Sequence, residues 1–218
     1  MPFNDAAKNV MLDALDESAT QITHVGVFTL ADPGTATNAT GTEATGGSPA
    51  YARQAVVWGA AASGQKANTG ALTFDLPAGT YGFLCFFNAS TGNTANYRGY
   101  TPMGGAAAIK GFFSTDTVLT NDQLFSIAHG LVDGDRVMLF NVFSEVLPTG
   151  VSEGTIYYVV SSATNTFKVS TTQGGAAVDI TALGGGEGFF QKVVPETFNA
   201  QGQLTVAVGA LVLDATAM

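Results

Sequence analysis

Leu72-Thr73-Phe74-Asp75-Leu76-Pro77-Ala78-Gly79-Thr80-Tyr81-Gly82-Phe83-Leu84-Cys85-Phe86-Phe87 is the stretch on which the fold turns. It holds two apolar runs joined by Pro77-Ala78-Gly79, a sequence built for a turn. The runs read as β-strands at 70–76 and 82–88. Working outward, further strands are expected at 22–30, 52–58 and 96–101. Asp32-Pro33-Gly34, Gly46-Gly47-Ser48-Pro49 and Ser90-Thr91-Gly92-Asn93 punctuate them. The stretch 33–49, almost all Gly, Thr, Ala, Asn and Ser, reads as an exposed loop. Short, regularly spaced strands in a chain with 27 glycines predict an all-β protein, an antiparallel sandwich.

One helix is expected, at residues 4–15. Ala7, Val10, Met11, Ala14 and Leu15 fall on one amphipathic face, and Asn4 or Asp5 can cap its start. So short a helix is marginal alone and has to dock.

A second rhythm of strands begins near residue 115, at 118–125, 136–142, 155–161, 166–171 and 178–180. Turn pairs such as Asp133-Gly134 and Asn165-Thr166 suggest tight hairpins. Gly184-Gly185-Gly186-Glu187-Gly188 reads as a flexible exit. The tail, 203–214, alternates Leu204, Val206 and Val208 before Leu211 and Leu213, which predicts one or two core strands.

Composition narrows the function classes. The 218 residues are 46% hydrophobic and 11% charged, with net charge −9; a soluble domain usually carries about 25% charged residues. Fifteen Phe, six Tyr and one Trp can build a core. The low charge implies a Thr-, Ser-, Asn- and Gly-rich surface of the kind common in packed assemblies. The eight basic residues, Lys8, Arg53, Lys66, Arg98, Lys110, Arg136, Lys168 and Lys192, are scattered. Phosphate-backbone binding needs several on one surface, so direct nucleic-acid binding is not expected. No run of about 18 apolar residues is present, so no membrane span is expected. Met1-Pro2-Phe3-Asn4-Asp5 lacks the basic and apolar regions of an export signal.

Chemistry-bearing residues are sparse. Cys85, the only cysteine, sits in an apolar run and reads as a buried small hydrophobe. His24 and His129 lack the companions of a hydrolytic relay or a zinc site. His24 reads as a sheet residue and His129 as the maker of a turn hydrogen bond. Asp133-Gly134-Asp135 reads as a turn, because a calcium loop needs more oxygen ligands. Met103-Gly104-Gly105-Ala106-Ala107-Ala108 lacks the Gly-Lys-Ser/Thr ending of a phosphate loop. No catalytic residue, metal or cofactor is therefore expected. The doublets Phe86-Phe87, Phe112-Phe113 and Phe189-Phe190, with Phe83 nearby, would each send one ring outward unless both strand faces are covered. They are candidate subunit-interface residues. Tyr97, Tyr100, Tyr157 and Tyr158 are candidates for stacking on a sugar.

Several segments resemble a family of tailed-bacteriophage tail-fibre and minor tail proteins, some of whose members resemble head-decoration proteins. They are Ile22-Thr23-His24-Val25-Gly26-Val27-Phe28-Thr29, Tyr51-Ala52-Arg53-Gln54-Ala55-Val56-Val57-Trp58, 70–80, and Glu196-Thr197-Phe198-Asn199-Ala200-Gln201-Gly202-Gln203-Leu204-Thr205. About 80 residues intervene before the last segment where shorter relatives have few. That implies an insertion at 115–193, a small β-barrel-like domain, within a main domain of 1–114 plus 194–218. The insert itself resembles a small β module of phage appendages through 129–137, Leu147-Pro148-Thr149-Gly150-Val151, Tyr157-Tyr158-Val159-Val160 and 165–170. The chain departs from the family at 81–87, where relatives carry a strand with His and Trp. The resemblance implies a particle-bound structural protein, with other tail or capsid subunits and a second copy of itself as partners. A host-surface glycan is a further implied partner.

Overall fold

The computed structural model describes residues 4–17, 21–34, 37–104, 109–142 and 145–215; of the Met103–Ala108 run, residues 105–108 lie outside these. The chain forms two compact units, one of residues 1–101 with 196–218 and one of 102–195. The second unit thus begins near residue 102 instead of 115.

The main sheet of the first unit joins β1 (His24–Thr29), β2 (Gln54–Ala55), β5 (Gly79–Phe87), β6 (Tyr97–Pro102) and β13 (Glu196–Phe198). Two ribbons accompany it: β4 (Leu72–Leu76) with β14 (Gly202–Val206), and β3 (Gln65–Ala67) with β15 (Val212–Asp214). The pairings of β1 with β2 and β5, of β5 with β13, and of the two accompanying ribbons are antiparallel. The late segment that resembled the phage family supplies β13 and β14, so the chain re-enters this unit after the second is complete.

β5 is the spine. It pairs with β1, placing Phe83 opposite Phe28 and Phe86 opposite Val25. Residues 81–87 are buried without alternation. Phe83 meets Tyr100 edge-on at 5.4 Å, and Phe87 lies between Phe28 at 6.0 Å and Tyr97 at 5.6 Å. Both faces of the strand are covered, which is why an unbroken apolar run is stable here.

The helix α1 spans Asp5–Glu17, and Asn4 caps it by accepting a hydrogen bond from the Ala7 amide at 2.9 Å. Its docking face differs from the expected one. Lys8 and Leu12 are buried, whereas Val10 and Met11 are 70% and 41% exposed. Polar anchors decide the rotation. Asp13 pairs with Lys66 at 2.7 Å and accepts from the Ala61 amide, and Asn9 accepts from the Gly64 amide at 2.8 Å.

The second unit is a closed six-stranded barrel. Its strands are β7 (Lys110–Thr115), β8 (Leu124–Phe125), β9 (Arg136–Phe140), β10 (Ile156–Val160), β11 (Thr166–Ser170) and β12 (Glu187–Val193). They close in the order β10-β11-β8-β7-β12-β9. The glycine-rich exit therefore leads straight into a barrel strand, and β7 belongs to the barrel rather than to the sandwich. Phe113, Leu124, Leu139, Tyr157, Val159, Phe167 and Phe190 fill the interior. Gly188 faces inward where any side chain would strike the Phe113 ring, so glycine makes room for it. Asn165-Thr166 lies in a true hairpin between β10 and β11. Asp133-Gly134 turns the chain into β9 but joins no paired strands, and 178–180 is held by hydrogen bonds outside any strand.

Candidate functional site

The barrel's outer face collects the aromatic residues that the interior cannot take. On β7 and β12 alternate side chains point in and out. Phe113 and Phe190 go inward and are buried. Phe112, on the other face, is 55% exposed, and Phe189 is half-buried. Strand register sets Phe189 directly opposite both Phe112 and Phe140. The rings meet at 5.5 Å and 6.3 Å, so three neighbouring strands carry one aromatic ladder, Phe140–Phe189–Phe112.

The ladder continues toward β8. Phe125, opposite Ser114, is 42% exposed, and Ile127 just beyond it is 76% exposed. These residues and Phe112 line one open groove of about 870 Å³, with Lys110 and Glu187 on the same groove. Both charged residues are exposed. Lys110 pairs in register with Gln191, and Glu187 with Ser114, so the two charges sit at diagonal corners of the Phe112–Phe189 pair.

The remaining candidates distribute as follows. Phe83, Phe86 and Phe87 are buried in the sandwich unit; both faces of β5 are covered, so no ring of that doublet reaches the surface. Tyr97 and Tyr157 are also buried. The Tyr97 hydroxyl donates to the Gly34 carbonyl at 2.8 Å, and the Tyr157 hydroxyl accepts from the Ser152 amide at 2.9 Å. Neither can stack on a sugar. Tyr100 and Tyr158 are half-buried, Tyr158 beneath the Arg136 guanidinium at 5.3 Å.

Sequence reasoning missed a buried polar cluster at β1. Arg53 donates from Nε and Nη2 to both oxygens of Glu43 at 2.7 Å, and from Nη1 to the Ala89 and Gly92 carbonyls. Its guanidinium lies 3.3 Å over the Phe87 ring. The Tyr51 hydroxyl donates to Glu43 and accepts from the Val27 amide, both at 2.9 Å. Burial and the Glu43 charge push the Tyr51 phenol far above its usual range. Gly26 lies beneath: a Cβ there would come within 2.8 Å of Glu43 Oε1. Asn68 is a second buried hub, bonded to Gly70, Ala207 and Leu211. A Glu and an Arg ten residues apart, and an Asn whose partners lie up to 143 residues away, carry no local signal of such contacts.

The histidines are engaged. His24 Nδ1 lies 2.8 Å from Thr23 Oγ1. His129 packs edge-on against Phe167, accepts from the Leu131 amide at Nδ1 and approaches the Thr166 carbonyl through Nε2. Asp133 accepts from the Ser162 amide, and Asp135 pairs with Lys192 at 2.8 Å. Burial raises the Cys85 thiol well above the usual range, which keeps it protonated. Among the described residues, no group of three or more His, Cys, Asp or Glu could hold a metal ion, and no helix is long and apolar enough to cross a membrane.

Compared with known proteins, the chain matches no family model, no curated protein and no solved structure.

Proposed function

We propose that the chain is a structural component of a tailed-bacteriophage particle, acting through packing and display rather than catalysis. The tail or its fibres is the favoured location, with the barrel unit presented outward. The carrying observation is the solvent-facing ladder Phe140–Phe189–Phe112, an apolar face of the kind that marks protein contacts. The segments resembling phage tail and appendage proteins supply the particle context. The shortage of accessible cations fits the reading: Lys8, Arg53 and Lys66 are buried, and the last two are paired with carboxylates.

Quantitative mass spectrometry of purified particles from the phage encoding this sequence tests the proposal. A few to dozens of copies per particle supports a tail component. Hundreds of copies would favour the alternative, a capsid decoration protein. Absence from purified particles would sink both. A glycan-binding role has lost two of its four supporting tyrosines to the interior; a glycan-array screen without hits would remove it.

A further inference from the structure

The groove face is complementary to itself. Lys110 and Glu187 stand at opposite corners of a rectangle whose middle is the Phe112–Phe189 pair. A second copy can be laid on this face by a two-fold axis in the contact plane, running across the strands through that pair. With the axis square to the strands, Lys110 would meet Ser114 of the second copy. Tilting it until Lys110 meets Glu187 requires roughly 20°, given strand spacings of about 4.8 Å and a rise of about 3.4 Å per residue. Strands of the two copies then cross at about 40°, near the roughly 30° of aligned sheet packing. The same operation keeps Phe112 over Phe112 and Phe189 over Phe189.

We propose that two copies of this chain pair through the outer face of the barrel. The Phe112–Phe189 ladder forms the apolar centre of the contact, and Lys110 of each copy faces Glu187 of the other. An isologous contact needs a patch that matches its own rotated image, and this one does so in the placement of its rings and charges. Aromatic rings at the centre with charges at the rim is the usual anatomy of a protein interface. A fully buried Phe removes roughly 150–250 Å² from water. Four partly exposed rings thus supply an apolar patch on the order of 300 Å² per copy, below the roughly 800 Å² per partner of a standard stable interface. The isolated pair is therefore weak and depends on concentration. Neighbouring copies held on one assembly would engage through their high effective concentration. The contact is a property of the purified chain, so its presence or absence is separable from where the chain works.

Sedimentation equilibrium of the full chain over a concentration series tests this. The wild type is expected to dimerise reversibly with a Kd between about 10 µM and 1 mM. Phe112→Ser should weaken dimerisation at least about tenfold. Lys110→Glu and Glu187→Lys should each weaken it roughly five- to tenfold by setting like charges face to face. The double variant Lys110→Glu/Glu187→Lys should return to within about threefold of the wild type, because the charges are then exchanged. All three positions are exposed, and unchanged circular dichroism would confirm folded variants. A wild type that stays monomeric to about 1 mM overturns the proposal. So does a double variant no tighter than the single ones, or a dimer indifferent to Phe112→Ser; either result would place the contact on another surface.

Discussion

The two units build their cores by different rules. In the barrel five of the six strands have one dry face and one wetter face, and side chains sort accordingly: β10 and β11 share one pattern of alternating burial, and β12 separates Phe189 from Phe190; β9 is the exception, with Val137, Met138 and Leu139 all buried. In the sandwich unit the spine strand β5 is dry on both faces, and charge is brought inside to meet it. Arg53 lies on the Phe87 ring with Glu43 locked to it. The barrel is held chiefly by apolar packing. The sandwich unit adds a buried polar cluster that ties the segment 43–53 to the sheet, so each of its members carries a large share of local stability.

Truncation should show this contrast most strongly. Arg53→Ala leaves Glu43 without its buried partner and should cost about 3–5 kcal/mol. Denaturant unfolding followed by the fluorescence of Trp58, the sole tryptophan, reads this unit directly. Phe167→Ala, deep in the barrel, should cost a similar 3–5 kcal/mol or so through a cavity, and peptide-resolved hydrogen exchange should place that loss within residues 102–195. Equal loss of protection in both units from either variant would break the comparison. Gly26→Ala comes next, at about 1–3 kcal/mol, because its Cβ crowds Glu43 and Phe87.

A smaller effect is tied to pH. Burial, and then the charge of Arg53, holds the His24 imidazole below its usual 6.5. The unfolded chain therefore binds a proton first as pH falls, and the sandwich unit should lose stability below about pH 6.5. His24→Gln should flatten that slope in pH-dependent unfolding. The Asp13 carboxyl is held below its usual range by its hydrogen bond to Lys66 and then by the Ala61 amide. Its contribution to docking α1 is present above about pH 4 and is lost as pH falls through the folded value. The smallest effect is on the groove: Phe112→Ser should change stability by no more than about 0.5 kcal/mol, as for other surface sites.

These rules also explain what could be read beforehand. The all-β class, the turn at Pro77-Ala78-Gly79, the helix capped by Asn4 and the turn role of His129 were legible because each rests on local chemistry. The barrel strands β10 and β11 are legible because one face of each is wetter, and β9 because it is a short apolar run entered from the Asp133-Gly134 turn. Of the ladder strands, β7 straddles the start of the expected 115–193 insert, and β12 lies inside that insert but begins where the glycine run reads as a flexible exit. Their doublets Phe112-Phe113 and Phe189-Phe190 look the same in sequence as Phe86-Phe87, yet one ring of each reaches the surface only in the barrel. What separates the cases is whether another layer covers the strand, and no short segment records that. The rotation of α1 was hidden for a related reason. Its periodicity marks Val10 and Met11, but the partners of Asn9 and Asp13 lie some fifty residues away.

The central claim, a particle component that presents its barrel outward, has a direct test. Gln173→Cys places a thiol on an exposed barrel loop, while the native Cys85 is buried and unreactive. Intact purified particles carrying this variant are treated with a maleimide-coupled gold label and imaged by electron microscopy. The account predicts labelled particles, with label absent when wild-type particles are treated alike. Particles that contain the protein but take up no label until disrupted would contradict it.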